Sequence, residues 1–175
     1  MNKEEKKISG ETLFKGRVIS LHNDKVLCPN GAETTREYVT HPGGVCLLME
    51  VDGKIGLVKQ FRYPYQEEIL ELPAGKLEKG EDPYVAGLRE LEEETGYKAE
   101  SLISYGCMYP SVGYTNEIIH LYVAKNCVKT HTNFDFDEDL DLILIDKEEL
   151  KEMIKTNQIK DAKTIILLTR YLYNI

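Results

Sequence analysis

Short apolar runs separated by turn residues dominate the chain before residue 82, and this pattern predicts strands rather than helices. The dipeptides Asn30-Gly31 and Asp52-Gly53 favour tight turns between such strands, because their residues tolerate positive φ angles. Residues 1–11 are polar and are predicted to be a frayed lead. The predicted strands in this part of the chain cover residues 12–22, 23–28, 35–41, 45–51, 54–62 and 68–72.

The spacing of apolar residues becomes helical after Asp82, which can cap the first backbone N–H groups of a helix that Gly96 ends. Asp146 and Glu149 have the spacing of a capping box and predict a second helix. A third helix is predicted over about residues 161–173, and further strands over residues 101–107, 117–124 and 140–145. Strands mixed with flanking helices indicate an α/β fold.

A length of 175 residues suits one main domain, predicted at residues 43–175, preceded by a small antiparallel strand subdomain at residues 1–42. The net charge of −8 argues against a nucleic-acid binder, which would present a basic face. The four cysteines are scattered without a CxxC pair, and no apolar run is long enough for a signal peptide or a membrane span. These features predict a cytoplasmic protein without nucleic-acid or membrane partners.

The predicted helix after residue 82 is unusually acidic on one side. At about 100° per residue, Arg89, Glu90, Glu93 and Glu94 fall on one continuous arc. The like charges of Glu90 and Glu94, four residues apart, should destabilise the helix by roughly a few tenths of a kcal/mol. One interpretation is a solvated, glutamate-rich surface helix. The other is a hard, oxygen-rich site that suits Mg²⁺ or Mn²⁺.

Two features beside this helix favour the metal site. Gly75 precedes the helix by a short loop, where its missing side chain would let the backbone approach a ligand or an ion closely. Glu81 lies just before the cap, from which it can reach back to Arg89 and hold the guanidinium in place. A phosphate-binding P-loop is excluded, because Glu81 stands where that motif requires a lysine after its glycines at positions 75 and 80.

Residues 75–97 resemble the Nudix box at every position that the box specifies. The segment runs Gly75, five residues, Glu81, seven residues, and then Arg89-Glu90-Leu91-x-Glu93-Glu94-x-Gly96-Tyr97. Outside the box, the chain is similar to bacterial ADP-ribose pyrophosphatases in order and spacing. The similar segments are residues 35–45, 58–64, 68–81, 109–117 and 161–164. The resemblance implies an α/β/α sandwich around a mixed β-sheet, preceded here by the N-terminal strand subdomain.

The resemblance also implies roles for individual residues. Those implied to bind a divalent metal are the backbone carbonyl of Ala74 and the side chains of Glu90, Glu93 and Glu94, with Glu93 also counted as catalytic. Those implied to support these ligands are Glu81 and Arg89. Those implied to contact the substrate are Arg36, Glu37, Arg62, Glu71 and Ser111. The general base would come from an acidic loop, where Glu138 aligns best and Asp137 and Asp139 are alternatives.

The activity implied by the resemblance is hydrolysis of ADP-ribose, a small-molecule nucleotide, to AMP and ribose 5-phosphate. Mg²⁺ is the expected cofactor, with Mn²⁺ as an alternative, and related enzymes lead us to expect a homodimer. Other nucleoside diphosphate derivatives stay open as substrates: another nucleotide sugar, NADH or a diadenosine polyphosphate. A non-catalytic ADP-ribose sensor is the alternative of a different class. Such sensors usually have a degraded box, whereas the box of this chain is intact.

Overall fold

The computed structural model describes residues 3–131 and 140–175. These residues group into two compact units. The first unit is formed by Met1–Gly43 together with Tyr109–Ile118, and the second by Gly44–Met108 together with Ile119–Ile175. The segment 109–118 therefore belongs with the N-terminal strands although it lies far along the chain.

The first unit is a three-stranded antiparallel sheet. Its strands are β1 (Lys6–Lys15), β2 (Ser20–Leu27) and β3 (Glu33–Thr40), paired in the order β1-β2-β3. The segment 109–118 is bound to the end of β3 by backbone hydrogen bonds. Val39 N–H donates to the Tyr114 carbonyl at 2.7 Å, and Asn116 N–H donates to the Val39 carbonyl at 3.2 Å. This attachment brings the loop that contains Ser111 into the same unit as β3.

The predicted frayed lead at residues 1–11 is wrong, because β1 begins at Lys6. All ten residues of β1 are exposed, so apolar burial within this chain does not explain the strand. Its backbone instead pairs with β2 from Lys6 to Lys15. The ammonium of Lys7 lies 2.8 Å from an Asp24 carboxylate oxygen across the pair. Backbone pairing and such cross-strand contacts can form a strand without an apolar pattern.

The second unit contains ten strands and three helices among the described residues. The strands are β4 (Gly44–Leu48), β5 (Glu50–Val51), β6 (Lys54–Arg62), β7 (Glu67–Glu71), β8 (Ala74–Lys76), β9 (Tyr97–Lys98), β10 (Ser101–Met108), β11 (Ile119–Lys125), β12 (Val128–Lys129) and β13 (Asp141–Asp146). The helices are α1 (Pro83–Thr95), α2 (Lys147–Lys155) and α3 (Ala162–Tyr173).

The strands of the second unit form two larger sheets and one short pair. One sheet has the order β10-β11-β4-β8 and is mixed, because β11 and β4 are parallel whereas the other neighbours are antiparallel. The other has the order β13-β6-β5, with β7 also paired to β6. Strands β9 and β12 form the short pair. The predicted α/β fold with a mixed sheet is confirmed.

Strand β4 separates two layers of apolar packing. Every residue of β4 is buried, and successive side chains of a strand point to opposite faces of its sheet. Val45 and Leu47 pack in one cluster with Leu91 of α1. Cys46 packs in the other cluster with Leu168 of α3. A helix on each face of the same sheet makes this unit the α/β/α sandwich expected from the sequence.

The first helix begins and ends where the sequence predicts. An Asp82 carboxylate oxygen accepts a hydrogen bond from the Tyr84 backbone N–H at 2.9 Å, which caps the N-terminus of α1. Gly96 has a φ of 68° and donates its N–H to the Glu92 carbonyl at 2.9 Å, which ends the helix. The hairpin turn between β5 and β6 is also as predicted, with positive φ at both central residues, Asp52 and Gly53.

The predicted capping box of the second helix is wrong. Asp146 is the N-cap residue of α2, but its side chain makes no cap hydrogen bond within the described chain. Asp146 is also the last residue of β13, where it pairs with Lys54 of β6, and its carboxylate lies 3.4 Å from the Lys54 ammonium. This cross-strand ion pair takes the side chain away from the helix amides. No helix of the described residues is long and apolar enough to cross a membrane.

Candidate active site

A buried glutamate of α1 is hydrogen-bonded to the backbone of the sheet. Glu94 is 5 % exposed, and one of its carboxylate oxygens accepts a hydrogen bond from the Ala74 backbone N–H at 2.9 Å. Ala74 is the first residue of β8 and pairs with Cys46 of β4, so its backbone is held in the sandwich. The Glu94 carboxylate is therefore anchored to β8, the strand that contains Ala74, whose carbonyl is implied by the Nudix resemblance to be a metal ligand.

Gly75 accommodates a second carboxylate directly over its Cα. A Cβ atom built on Gly75 would lie 1.8 Å from Cδ of Glu90 and 2.1 Å from each of its carboxylate oxygens. No side chain at position 75 could share that space with the Glu90 carboxylate in this position. The glycine that opens the Nudix-like segment thus creates a recess for the Glu90 carboxylate, whereas the sequence predicted a close approach of its backbone to a ligand or an ion.

Arg89 holds the other acidic side chains of the helix arc. Its Nε donates to Glu81 at 3.0 Å, and its Nη1 donates to both Glu90 and Glu93 at 2.9 Å. The Glu81 contact is the one predicted from sequence. The hydrogen bonds from Arg89 hold the pKa of Glu81 below its ordinary value despite partial burial. The same contacts, that with Glu81 foremost, raise the pKa of Arg89, so the guanidinium is permanently charged.

The acidic cluster has the donor chemistry of a divalent metal site. The carboxylates of Glu81, Glu90 and Glu93 bind the Arg89 guanidinium, and that of Glu94 binds the Ala74 N–H. Such hard oxygen donors suit Mg²⁺ or Mn²⁺. Among residues 3–131 and 140–175, however, no three acidic, histidine or cysteine side chains already stand at metal-binding spacing. Arg89 and the Ala74 amide engage these carboxylates, so their oxygens would reorient towards a bound ion.

A second constellation of the same unit is centred on a buried carboxylate in β7. Glu71 accepts hydrogen bonds from Arg62 Nε at 2.5 Å and from Arg62 Nη2 at 2.9 Å. The Lys163 ammonium of α3 also donates to Glu71. Burial, the largest influence, raises the pKa of Glu71, but the ion pairs with Arg62 and Lys163 outweigh it and leave the pKa below its ordinary value. Glu71 is therefore an ionised anchor for two cations.

The first unit contains the remaining predicted substrate residues, Arg36, Glu37 and Ser111. Arg36 and Glu37 are consecutive in β3, an edge strand of its sheet, so their side chains leave opposite faces and a ligand at the edge can contact both. The Arg36 guanidinium forms a two-point ion pair with Glu5, with Nε at 3.0 Å and Nη2 at 2.5 Å from its oxygens. Ser111 lies in the loop bound to the end of β3.

One predicted group of acidic residues lies outside the described structure, and two partners of the predicted arginine and glutamate residues were not predicted. Glu138 and its alternatives Asp137 and Asp139 lie outside the described residues. Sequence reasoning missed Lys163 as a partner of Glu71, although a signal was present. Lys163 precedes the fully buried Leu167 by four positions and so shares the buried face of α3, where a lysine requires an anionic partner. The Glu5 partner of Arg36 had no comparable signal in the pattern.

Comparisons with known proteins find similar sequences over most of the chain. The family model of the NUDIX domain matches residues 39–168 of the chain. The methanol dehydrogenase activator of Bacillus methanolicus is 48% identical over 166 residues, which cover 93% of this chain and 90% of that protein. The ADP-ribose pyrophosphatase of Bacillus subtilis (strain 168) is 43% identical over 164 residues, which cover 92% of this chain and 89% of that protein.

A comparison of structures gives the fold independently. The crystal structure of an ADP compounds hydrolase superposes with a TM-score of 0.85 and covers 98% of this chain and 93% of its own. The two sequences are 19% identical in this superposition, so the match shows a shared fold. The fold, the family model and the full-length relatives agree on one assignment.

Proposed function

This chain belongs to the NUDIX family and is a Nudix hydrolase, and we propose that it hydrolyses ADP-ribose to AMP and ribose 5-phosphate. The observation that carries the proposal is the carboxylate cluster of α1, with Glu90 over Gly75 and Glu94 bonded to Ala74 N–H. The ADP-ribose pyrophosphatase of Bacillus subtilis supports the choice of substrate, because its 43% identity extends over 92% of this chain.

The proposed metal ligands are the carbonyl of Ala74 and the side chains of Glu90, Glu93 and Glu94. Bound Mg²⁺, or Mn²⁺ as the alternative, would neutralise the diphosphate and lower the pKa of the attacking water. Within the protein, Arg89 keeps Glu90 and Glu93 on the same side of α1, and Glu81 orients Arg89. Glu93 thus has the proposed catalytic role through the ion, with Glu81 and Arg89 acting behind the ligands.

The proposed substrate contacts are of two kinds, ionic contacts to the phosphates and hydrogen bonds to the rest of the substrate. Arg62 and Arg36 would bind the phosphates of the substrate, since a guanidinium offers two parallel donors to such an anion. Glu37 and Ser111 would accept or donate hydrogen bonds to its hydroxyls or base. Because Glu71 is buried and already binds Arg62, its part is to orient Arg62 rather than to touch substrate.

Proton transfer is the remaining step of the proposed reaction. Glu138, or Asp137 or Asp139 in its place, would accept the proton of the water that attacks phosphorus. These residues lie outside the described part of the chain, so the proposal rests on their position in the sequence alone.

Two variants of one helix test the metal site. Purified protein with Mg²⁺ should release AMP from ADP-ribose, and Glu94→Gln should lower kcat by about 100-fold or more, because an amide is a poor ligand for a hard cation. Glu92→Gln is the matched control, since Glu92 lies off the acidic arc and is 4.0 Å from Lys98. Absence of AMP from the wild type would refute the ADP-ribose assignment. Full activity of Glu94→Gln would refute the metal assignment.

The same assay with a panel of further substrates tests the alternative substrates and the alternative that the protein is a non-catalytic sensor. Nucleotide sugars, NADH and diadenosine polyphosphates share the diphosphate and differ in the leaving group. The preferred substrate will have the highest kcat/KM, because this ratio measures discrimination between competing substrates. A sensor would bind ADP-ribose in calorimetry with Mg²⁺ and release no AMP. The intact box favours the enzyme.

A second candidate function rests on one relative. The methanol dehydrogenase activator of Bacillus methanolicus is 48% identical over 93% of this chain, which supports activation of a methanol dehydrogenase as a further role. The test is the rate of a purified methanol dehydrogenase with and without this protein. Equal rates would reject the role, and loss of the effect in Glu94→Gln would tie it to hydrolysis.

We also propose that the protein is a cytoplasmic homodimer. Three large apolar side chains of β1, those of Ile8, Leu13 and Phe14, are about half exposed or more in the single chain, so a second copy would cover them. Residues 1–42 would then provide a dimerisation and substrate-binding element. All four cysteines are free thiols, which supports a reducing compartment. Light scattering after gel filtration measures the mass directly, and a mass near 20.0 kDa would reject the dimer.

A further inference from the structure

We propose that Lys163 is a positioning residue for Arg62, acting through the carboxylate between them. The inference rests on the proposed function, in which Arg62 binds a substrate phosphate. Lys163 lies on α3, and neither the Nudix-like segment nor the acidic helix includes it. Its role is to hold Glu71 from one side so that Glu71 fixes the Arg62 guanidinium from the other.

The geometry at Glu71 makes the guanidinium directional. Arg62 binds Glu71 through Nε and Nη2, so the Nη1 edge of the planar group is directed away from the carboxylate. The oxygen that accepts from Nη2 also accepts from the Lys163 ammonium. Lys163 therefore fixes the carboxylate that determines which edge of Arg62 is available to a ligand.

The exposure of these side chains shows which end of the cluster meets solvent. The Glu71 side chain is 4% exposed and that of Lys163 is 11%, whereas the Arg62 side chain is 39% exposed. At the other end of the cluster, Lys163 lies 3.1 Å from Asp161, which caps α3 by accepting from Thr164 N–H at 2.9 Å. Negative and positive side chains therefore alternate from the cap of α3 through Lys163 and Glu71 to the partly exposed guanidinium of Arg62.

The position of Lys163 is fixed by backbone contacts as well as by charge. The Thr164 hydroxyl donates to Asp161 and accepts from the Leu72 backbone N–H at 2.8 Å, and Leu72 directly follows Glu71. The N-terminus of α3 is therefore attached to the end of β7 beside the carboxylate. Lys163 therefore acts on Glu71 from α3, a different element from α1, which carries the proposed metal ligands.

Loss of Lys163 should weaken substrate binding rather than the chemical step. A buried carboxylate left with Arg62 as its remaining cation would draw the guanidinium inwards, because a buried charge needs compensation. We expect Lys163→Met to raise KM for ADP-ribose by about tenfold, with kcat within about threefold of wild type. Lys163→Arg should recover most of the affinity because it retains the charge.

The matched control is Lys160→Met, three positions away. Lys160 is 56% exposed and pairs at 3.0 Å with Glu67, the first residue of β7, so this variant removes the same charge from an exposed pair. Its KM should stay within about twofold of wild type, because exposed ion pairs contribute little. If Lys160→Met and Lys163→Met raise KM equally, a general charge effect replaces the proposed positioning role.

A double-mutant cycle with Arg62→Ala distinguishes positioning from general stabilisation. If Lys163 acts through Arg62, Lys163→Met should not raise KM further in the Arg62→Ala background. Independent, multiplicative increases in KM would overturn the inference. Lys163→Gln, which keeps a hydrogen-bond donor without the charge, takes the place of Lys163→Met in the cycle if the methionine variant does not fold.

A measurement without substrate separates this inference from the proposed function. The Nε–H signal of Arg62 in ¹H–¹⁵N NMR spectra, identified by its loss in Arg62→Ala, should be slow to exchange in the wild type and in Lys160→Met. In Lys163→Met it should exchange at least about tenfold faster with water, as expected for a less ordered ion pair. If the wild type is active and the exchange rate of this signal is unchanged in Lys163→Met, the inference is overturned. If the wild type releases no AMP, the proposed function fails, and the NMR result still decides whether Lys163 positions Arg62.

Discussion

Three glutamates within five positions of α1 have different surroundings, and these differences decide what each can do. Glu94 is buried and bonded to the Ala74 amide, whereas Glu90 occupies the recess over Gly75. Glu93 has the most exposed side chain of the three, at 30%, and is held by Arg89. The recess over Gly75 is thus the point where one added methyl group would act on a single proposed ligand.

Gly75→Ala tests this recess. The added methyl would overlap Glu90, whose Cδ lies 1.8 Å from the ideal Cβ position, so the carboxylate must move. We expect kcat for ADP-ribose to fall by about tenfold or more, because a misplaced ligand weakens stabilisation of the transition state. Steady-state kinetics with Mg²⁺ measure the effect, and thermal unfolding of the same sample serves as the control for folding. Unchanged kcat in a folded variant would contradict a role for Glu90 in the site.

At the scale of elements, helices with similar starting residues are capped in different ways. Asp161 accepts hydrogen bonds from both the backbone N–H and the hydroxyl of Thr164 at the start of α3. Asp146 begins α2 but turns to Lys54 of β6 instead. The same residue type at the same helix position therefore contributes differently to stability.

Asp161→Ala and Asp146→Ala form a matched pair for urea unfolding. Asp161→Ala should lower the free energy of unfolding by about 1–2 kcal/mol or more, since it removes a formed N-cap and also the ion pair with Lys163 at 3.1 Å. Asp146→Ala should change it by less than about 0.5 kcal/mol, because an exposed ion pair contributes little. Equal losses in the two variants would contradict a larger contribution of Asp161 than of Asp146 to stability.

The elements of the fold were more predictable than their contacts. The Asp82 cap, the Asp52-Gly53 turn and the buried strand over β4 follow from local sequence rules, and the structure contains all three. The strand at Lys6 and the ion pair that removes Asp146 from its helix depend on a partner strand. Because such pairings join distant parts of the chain, local pattern could not predict them.

The candidate site divides in the same way between local and distant contacts. The acidic arc and the Glu81–Arg89 contact lie within residues 81–94, and the arc follows from helical periodicity. The contact of Lys163 with Glu71 joins residues 92 positions apart and needed the tertiary structure. The sequence therefore predicted the local contacts of the acidic cluster better than the distant contacts that hold Arg62.

At the scale of the whole molecule, buried ion pairs connect stability to pH. Arg62 and Lys163 hold the folded-state pKa of Glu71 below its ordinary value of 4.5, although burial acts in the opposite direction. Burial lowers the pKa of Lys163, but Asp161 and Glu71 raise it above its ordinary value of 10.5 overall. The Glu71 contribution is therefore complete above pH 4.5 and is lost as pH falls through the lower folded pKa. The Lys163 contribution is complete below pH 10.5 and is lost as pH rises through the higher folded pKa.

Glu71→Gln tests this dependence in urea unfolding as a function of pH. The wild type should exceed the variant in free energy of unfolding by the largest amount between about pH 5 and pH 10, and the difference should shrink below pH 4.5. Glu68→Gln is the control, because Glu68 lies on the same strand and forms an exposed pair with Lys59. A difference that stays constant from pH 7 to pH 3 would show that Glu71 is not stabilised as an anion.

The parallel pairing of β4 with β11 has a consequence for the order of events during synthesis of the chain. Gly44 pairs with Ile119, so 75 positions of sequence must be made before the first contact of this pair can form. Strand β8, which contains Gly75, borders β4 on its other edge. Contacts between distant residues slow folding, because the intervening chain must first be ordered. The sheet that holds β8 is therefore completed only after β11 has been synthesised, and truncated chains ending before β11 should lack the β4–β11 pairing.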